Sequence, residues 1–269
     1  MSYTDIRYEN RGLVTWITIN RPEVMNAVRP QTYADLTDAF RKADQDSETR
    51  VVVLTGEGRG FCSGDDVQEI FLAEDRDSQR SARKLRRYRS REEALTPIVP
   101  AILDCEKPTI AAVNGAAVGM GMDLALLCDI RIASDRAKFG SFFVRRGVVG
   151  SVGGTYFLRQ IVGLSRAMEM LLSGELIDAA EADRIGLVSR VVPQDGLTDA
   201  VDELTEKLSW GAPLAQRTIK RVVRQGMTTD WQSLDEYAMP LADGLWESED
   251  HLEGVRSYTE QRPPNFQAR

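Results

Sequence analysis

Lys107–Ser134 reads KPTIAAVNGAAVGMGMDLALLCDIRIAS, and its texture changes three times. Thr109–Val113 is an apolar run of strand length. A glycine cluster follows at Gly115, Gly119 and Gly121, leading into the apolar helical stretch MDLALLCDI, and Ile130–Ala133 begins another strand. Strand, glycine turn, helix and strand in that order predict an α/β core. The segment Thr109–Cys128 is the most apolar of the chain, yet Asn114, Asp123 and the glycines interrupt it, so it reads as a buried core element and not as a membrane span.

The same rhythm extends outward. Leu13–Ile19 (LVTWITI) and Val51–Thr55 (VVVLT) are short β-branched runs, and the second ends in the glycine-rich turn GEGRGFCSG. Between them, Asn26–Asp44 predicts an amphipathic helix with Tyr33, Leu36, Ala39 and Phe40 on one side. From about Gly163 amphipathic helices take over, in SRAMEMLLSG, DAAEADRIG and LTDAVDELTEKLSW, and glycine follows the first two as a stop signal. Residues 1–195 are expected to form the core and 196–269 an attached helical segment.

Composition narrows the function. With 34 Lys and Arg against 41 Asp and Glu, the net charge of −7 gives the whole molecule no attraction for nucleic acid or anionic membrane. Cys62, Cys105 and Cys128 lack CxxC spacing and His251 stands alone, so neither a metal site nor a disulfide framework is indicated. Reduced thiols and an N-terminal stretch without an apolar signal region point to a cytoplasmic protein.

Two glycine-containing loops, Gly58–Val67 (GRGFCSGDDV) and Asn114–Asp123 (NGAAVGMGMD), each join a strand to a helix. Glycine allows close backbone approach, and a helix N-terminus presents unpaired N–H groups, so such loops can receive a developing negative charge. Neither matches the phosphate-loop or dinucleotide pattern. Asp123 puts a carboxylate one turn into an otherwise apolar helix. Burial there favours the neutral acid while the helix N-terminus favours the charged form, an opposition common at catalytic carboxylates.

Six segments in order resemble the crotonase superfamily, the enoyl-CoA hydratase/isomerase family: NRPEVMNA from Asn20, RGFCSGDDVQEI from Arg59, the Lys107–Ser134 block, FGSFFVRRGVVGSVGGTYFLRQIVG from Phe139, ELIDAAEADRIGLVSRVV from Glu175, and EGVRSYTEQRPPNF from Glu253. The resemblance implies a spiral of repeated ββα units, a C-terminal helical trimerisation segment giving a homotrimer or dimer of trimers, and an acyl-CoA thioester as substrate. Coenzyme A is then part of the substrate, with no separate cofactor. It further implies that the backbone N–H groups of Asp65 and Met120 hold the thioester oxygen, in loops shaped by Gly64, Gly119 and Gly121. Each such donor contributes roughly 2.7–4 kcal/mol to an oxyanion transition state. CoA is expected against the backbone around Met25, Ala27, Asp65, Asp66 and Val67. In the tail, Gln261 stands where the family commonly has a Lys that contacts phosphate, with Arg262 beside it.

The departures bear on the reaction. Asp123 matches a Glu of the hydratases and is the expected catalytic acid/base. Phe143 occupies the position of their second Glu, and Ser151 the position where other branches carry an Asp in a PDxGG turn, so both are expected to border the substrate. Syn addition of water uses two carboxylates, whereas one suffices to move a proton between two carbons. The reading is therefore isomerisation or a non-standard hydration; Ser151 reads first as a turn residue and Tyr156 as packing, with an auxiliary role for them and for Asp66 as the other reading. Thioester hydrolysis on the same scaffold is one alternative, and a catalytically weak, RNA-binding member of the family is the other. Phe142, Phe143 and Trp246 are compatible with an aromatic or cyclic acyl group and equally with core packing. The run Arg80–Arg91 (RSARKLRRYRSR) carries seven cations; it reads first as a solvated helix face balanced by neighbouring acids, with RNA contact as the other reading. Cys62, with no His near it, reads as a buried thiol, and His251 as a surface residue.

Overall fold

The computed structural model describes residues 3–71, 97–150 and 153–269. Among these, a six-stranded sheet runs β1 (Ile6–Arg11), β2 (Val14–Ile19), β3 (Val51–Gly56), β5 (Thr109–Val113), β7 (Ile130–Ser134) and β10 (Arg190–Val192) in that spatial order. Every neighbouring pair is parallel except the opening hairpin β1/β2. A second sheet has the order β4 (Gly60–Cys62), β6 (Ala116–Val118), β8 (Lys138–Gly140) and β9 (Ile177–Asp178). The chain visits the two sheets alternately: β3 then β4, β5 then β6, β7 then β8. With the helices that follow, this is a spiral of ββα turns, the expected fold class.

The large sheet is covered on both faces, which explains its β-branched runs without polar alternation. Val52 and Leu54 of β3 join one buried cluster with Leu36 and Phe40 of α1 (Pro30–Gln45). Val51 and Val53, pointing the other way, join a second cluster with Trp16, Ile110, Ile132 and the α7 (Leu197–Ser209) residues Leu197, Ala200 and Val201. The division expected at residue 195 thus falls just ahead of a helix that packs on the large sheet. Between these elements lie α2 (Ile98–Leu103), α3 (Met120–Leu127), α4 (Arg159–Val162), α5 (Leu164–Ser173) and α6 (Ala179–Arg184). Then α8 (Pro213–Gly226), α9 (Trp231–Trp246) and α10 (Glu249–Thr259) complete the C-terminal part.

One boundary differs from the sequence reading. The first helix begins at Pro30 and not at Asn26, because Met25 and Asn26 take left-handed backbone angles (φ 55 and 57). The Asn26 amide donates to Gly60 O at 2.7 Å and Glu57 O at 2.9 Å, binding this turn to the first glycine loop. Pro30 then supplies a φ already suited to a helix start, and Arg29 ahead of it is extended. The apolar segment Thr109–Cys128 is divided among β5, β6 and α3; among the described residues no helix is long and apolar enough to cross a membrane.

Candidate functional site

The site is assembled where the first glycine loop meets the start of α3. Val28 and Asp65 form an isolated parallel bridge: Val28 N–H donates to Gly64 O at 2.8 Å and Asp66 N–H donates to Val28 O at 2.8 Å. Along an extended chain successive N–H groups alternate sides, so the Asp65 N–H is turned away from Val28. Ser63 N–H donates to Met25 O at 3.0 Å, so Met25, Ala27 and the Gly64–Asp66 segment lie side by side. Arg21, 8% exposed, locks this arrangement by donating to Ala27 O at 2.5 Å and pairing with Asp66 at 3.2 Å. Val67 is exposed and opens the helical turn Val67–Phe71.

Gly64 has φ +100, a conformation that side chains rarely adopt, and a Cβ there would lie 2.9 Å from Val118 O and 3.5 Å from Met120 N. The backbone of the first loop therefore presses directly on the entrance to α3. Met120 is the first residue of that helix, where N–H groups have no acceptor within the helix. Gly119 N–H, by contrast, is engaged by Gly140 O at 2.8 Å in the second sheet. Asp65 and Met120 are thus brought together from loops on different strands, with Gly64, Gly119 and Gly121 at the contact. A pair of N–H groups so placed suits a carbonyl oxygen gaining charge.

Asp123 lies on the first turn of α3, its N–H donating to Gly119 O at 3.1 Å, and it is 0% exposed. Its side chain is contacted by Gly153 and Gly154, which open the helical turn Gly153–Leu158. A Cβ on Gly153 would stand 2.6 Å from the Asp123 Cβ, and one on Gly154 would stand 3.0 Å from its Oδ1 and 3.9 Å from Ser141 Oγ. Sequence reading did not single out this glycine pair as part of the site. Tyr33 was also seen only as a core-facing helix residue; its hydroxyl donates to Asp65 Oδ1 at 2.5 Å. Burial first, and then the neighbouring Asp65, push the Tyr33 hydroxyl well above its ordinary pKa, so it stays a donor at neutral pH.

The other expected residues are distributed less evenly. Phe143 is half-buried and reaches the same loop: a Cβ on Gly119 would lie 3.9 Å from its Cζ. Ser151 and the basic run Arg80–Arg91 lie outside the described residues. Tyr156 packs edge-on to Phe157 with ring centroids 5.0 Å apart. Phe142 is stacked by Arg145, and Trp246 meets His251 edge-on at 4.7 Å in the C-terminal helices. Cys62 is fully buried and its thiol is pushed up to about 12 by desolvation, which leaves it protonated and inert at neutral pH. Arg262 is paired with Glu253 and Glu260.

Comparison with known proteins bears on this geometry. The family model described as enoyl-CoA hydratase/isomerase matches residues 9–269. The chain is 38% identical to (E)-benzylidenesuccinyl-CoA hydratase of Thauera aromatica, over 94% of this chain and 95% of that one. Among solved structures, enoyl-CoA hydratase subunit I of Geobacillus kaustophilus superposes with a TM-score of 0.88 at 34% identity, covering 99% of both chains. The enoyl-CoA hydratase of Bacillus anthracis superposes with a TM-score of 0.90 at 29% identity, covering 99% of this chain and all of that one. With a family match over nearly its whole length, relatives above 30% identity and a spiral of ββα turns, the chain belongs to the enoyl-CoA hydratase/isomerase family of the crotonase superfamily.

Proposed function

We propose that this protein hydrates a 2-enoyl-CoA thioester through an enolate. The N–H groups of Asp65 and Met120 receive the thioester oxygen, CoA runs past Met25, Ala27, Asp66 and Val67, and Asp123 moves a proton at the acyl carbons. The close approach of Gly64 to Val118 O and Met120 N carries this reading, because it joins two separate loops at the point where an enolate oxygen would sit. A carboxyl wholly enclosed one turn further along α3 supports the assignment of Asp123. The hydratase names of the relatives point the same way.

Double-bond isomerisation is the second reading, and Phe143 favours it: where the hydratases of the resemblance carry a second acid, this chain has an aromatic ring that moves no proton. Incubation with 2-enoyl- and 3-enoyl-CoA esters, aliphatic and aromatic, in heavy-oxygen water separates the reactions by mass. A labelled 3-hydroxyacyl-CoA is the expected product. An ester of unchanged mass and altered retention establishes isomerisation, and labelled acid with free CoA establishes hydrolysis. Assembly as a homotrimer or dimer of trimers belongs to the same proposal, supported by apolar side chains that α8 to α10 leave exposed, among them Ile219, Val223, Met239 and Leu252. Light scattering of the purified chain tests it.

A further inference from the structure

Of the three aromatic residues compatible with a ring in the acyl group, Phe142 is engaged by Arg145 at 5.2 Å and Trp246 by His251 at 4.7 Å. Among the described residues neither a second ring nor a cation stacks on Phe143. Its position is nevertheless built. The helical turn Val144–Arg146 ends on Gly147 at φ 68, where Gly147 N–H donates to Val144 O and Val148 N–H to Phe143 O, both at 3.1 Å. That pair of bonds closes the turn on its own backbone. One edge of the Phe143 ring lies on Gly150, where a Cβ would stand 2.6 Å from Cδ2 and 2.8 Å from Cε2, so any larger residue there displaces the ring. The tip points to the oxyanion loops: a Cβ on Gly119 would lie 3.9 Å from Phe143 Cζ and 3.9 Å from Gly64 Cα. Ring tip and first loop therefore flank one gap, immediately ahead of the Met120 N–H. The ring is only half-buried, and Val148 and Val149 beyond it are exposed, so this edge of the site offers apolar surface that gains from being covered.

We propose that Phe143 is a specificity-determining residue and that the acyl group it selects carries an aryl ring on C3, as in a 3-aryl-2-enoyl-CoA. The proposal rests on the acyl-CoA reading above. A thioester oxygen accepted by Met120 N–H places the carbonyl carbon beside Gly119, and C3 follows two bonds further along the acyl group, on the side that the Phe143 tip bounds. A substituent on C3 then covers the open part of the ring. An aromatic pair, offset or edge to face, is favoured beyond the area it buries, whereas a saturated ring of the same size contributes area alone. Phe143 is held in place by Gly150 and by the closed turn after it, so the wall stands ready before substrate arrives.

The test uses the full chain as wild type, Phe143→Leu and Gly150→Ala. Calorimetry gives the affinities of 3-phenylpropanoyl-CoA and 3-cyclohexylpropanoyl-CoA, saturated esters that are not hydrated and differ only in the ring. The absorbance of bound acetoacetyl-CoA enolate reports the oxyanion site in each variant. Wild type is expected to bind the phenyl ester about 2–10-fold more tightly than the cyclohexyl ester. Phe143→Leu, which keeps an apolar side chain of similar reach, is expected to bring the two affinities together, with the loss confined to the phenyl ester. Gly150→Ala leaves Phe143 in the chain and turns its ring, so it lowers the same ratio and gives the answer should Leu unsettle the fold. A wild type that binds the phenyl ester no better than the cyclohexyl ester overturns the proposal, and so does a preference that survives in both variants. Loss of all three esters alike in Phe143→Leu, with the ratio unchanged in Gly150→Ala, also overturns it, since the ring would then only support the loops. A wild type that binds none of the three esters overturns the acyl-CoA reading itself.

Discussion

Gly121, the second residue of α3, lies so close to Cys62 that a Cβ on it would stand 2.0 Å from the Cys62 carbonyl oxygen. The atom in the way is backbone of a strand, which cannot step aside as the end of a side chain can. Gly121→Ala must therefore part β4 from α3, and with them the loops that carry Asp65 and Met120. Overpacking of this kind costs about 1–3 kcal/mol, and a misplacement near 1 Å costs roughly 10²-fold in rate. The expected outcome is a folded protein of lower melting temperature with turnover reduced about 10²-fold, read by circular dichroism and by hydration of crotonyl-CoA.

Asp123→Asn separates chemistry from binding. The amide has nearly the size of the carboxyl, so the contacts with Gly153 and Gly154 survive, while the group can no longer take up a proton. Loss of a positioned acid or base lowers rates by about 10²–10⁴-fold. Turnover is expected to fall in that range with acetoacetyl-CoA affinity retained, as titration of its bound absorbance would record. Turnover equal to wild type would remove Asp123 from the mechanism.

The glycines against Asp123 differ in what they tolerate. A Cβ on Gly153 meets Cα and Cβ of Asp123 at 2.6 Å, which only backbone movement relieves. On Gly154 the nearest atom is Oδ1 at 3.0 Å, the end of a side chain that rotates. Gly153→Ala is expected to reduce both stability and turnover, and Gly154→Ala chiefly turnover, through the carboxyl it displaces. Parallel melting curves and rate measurements on the two variants check the order.

How far the sequence carries depends on segment length and on register. Thr109–Val113 is long and apolar enough to be read as a strand and is one. The strands Gly60–Cys62, Ala116–Val118 and Lys138–Gly140 have three residues each, too short for any alternation to show, so their glycine-rich surroundings read as loops. Asp65, Met120 and Asp123 stood out through motif and chemistry. Tyr33 did not, since its bond to a residue 32 positions away exists only once Val28 has bridged to Asp65. Gly153 and Gly154 were hidden for the same reason: their importance lies in what they touch across the fold.

Asp129 ties the C-terminal helices to the spiral, and its charge makes that tie dependent on pH. Its carboxylate accepts from Thr109 N–H and Oγ at 2.8 Å, pairs with Lys220 and Arg224 of α8 at 2.7 Å, and is partly buried. Burial alone would raise its pKa, but Lys220, Arg224 and the hydrogen bonds outweigh burial and hold it below the usual carboxylate range. A carboxyl depressed in the folded state stabilises above its unfolded value, near 3.9, and that contribution is lost as pH falls through the lower folded value. Asp129→Asn leaves two cations of α8 facing an uncharged group, a loss of about 3 kcal/mol for a largely enclosed pair. Urea unfolding at fixed protein concentration should show this deficit in full at pH 7, with the wild-type and Asp129→Asn curves converging below about pH 4 as the wild-type carboxyl takes its proton. A deficit unchanged down to pH 3 would mean that hydrogen bonding to Thr109, and not charge, holds α8 in place.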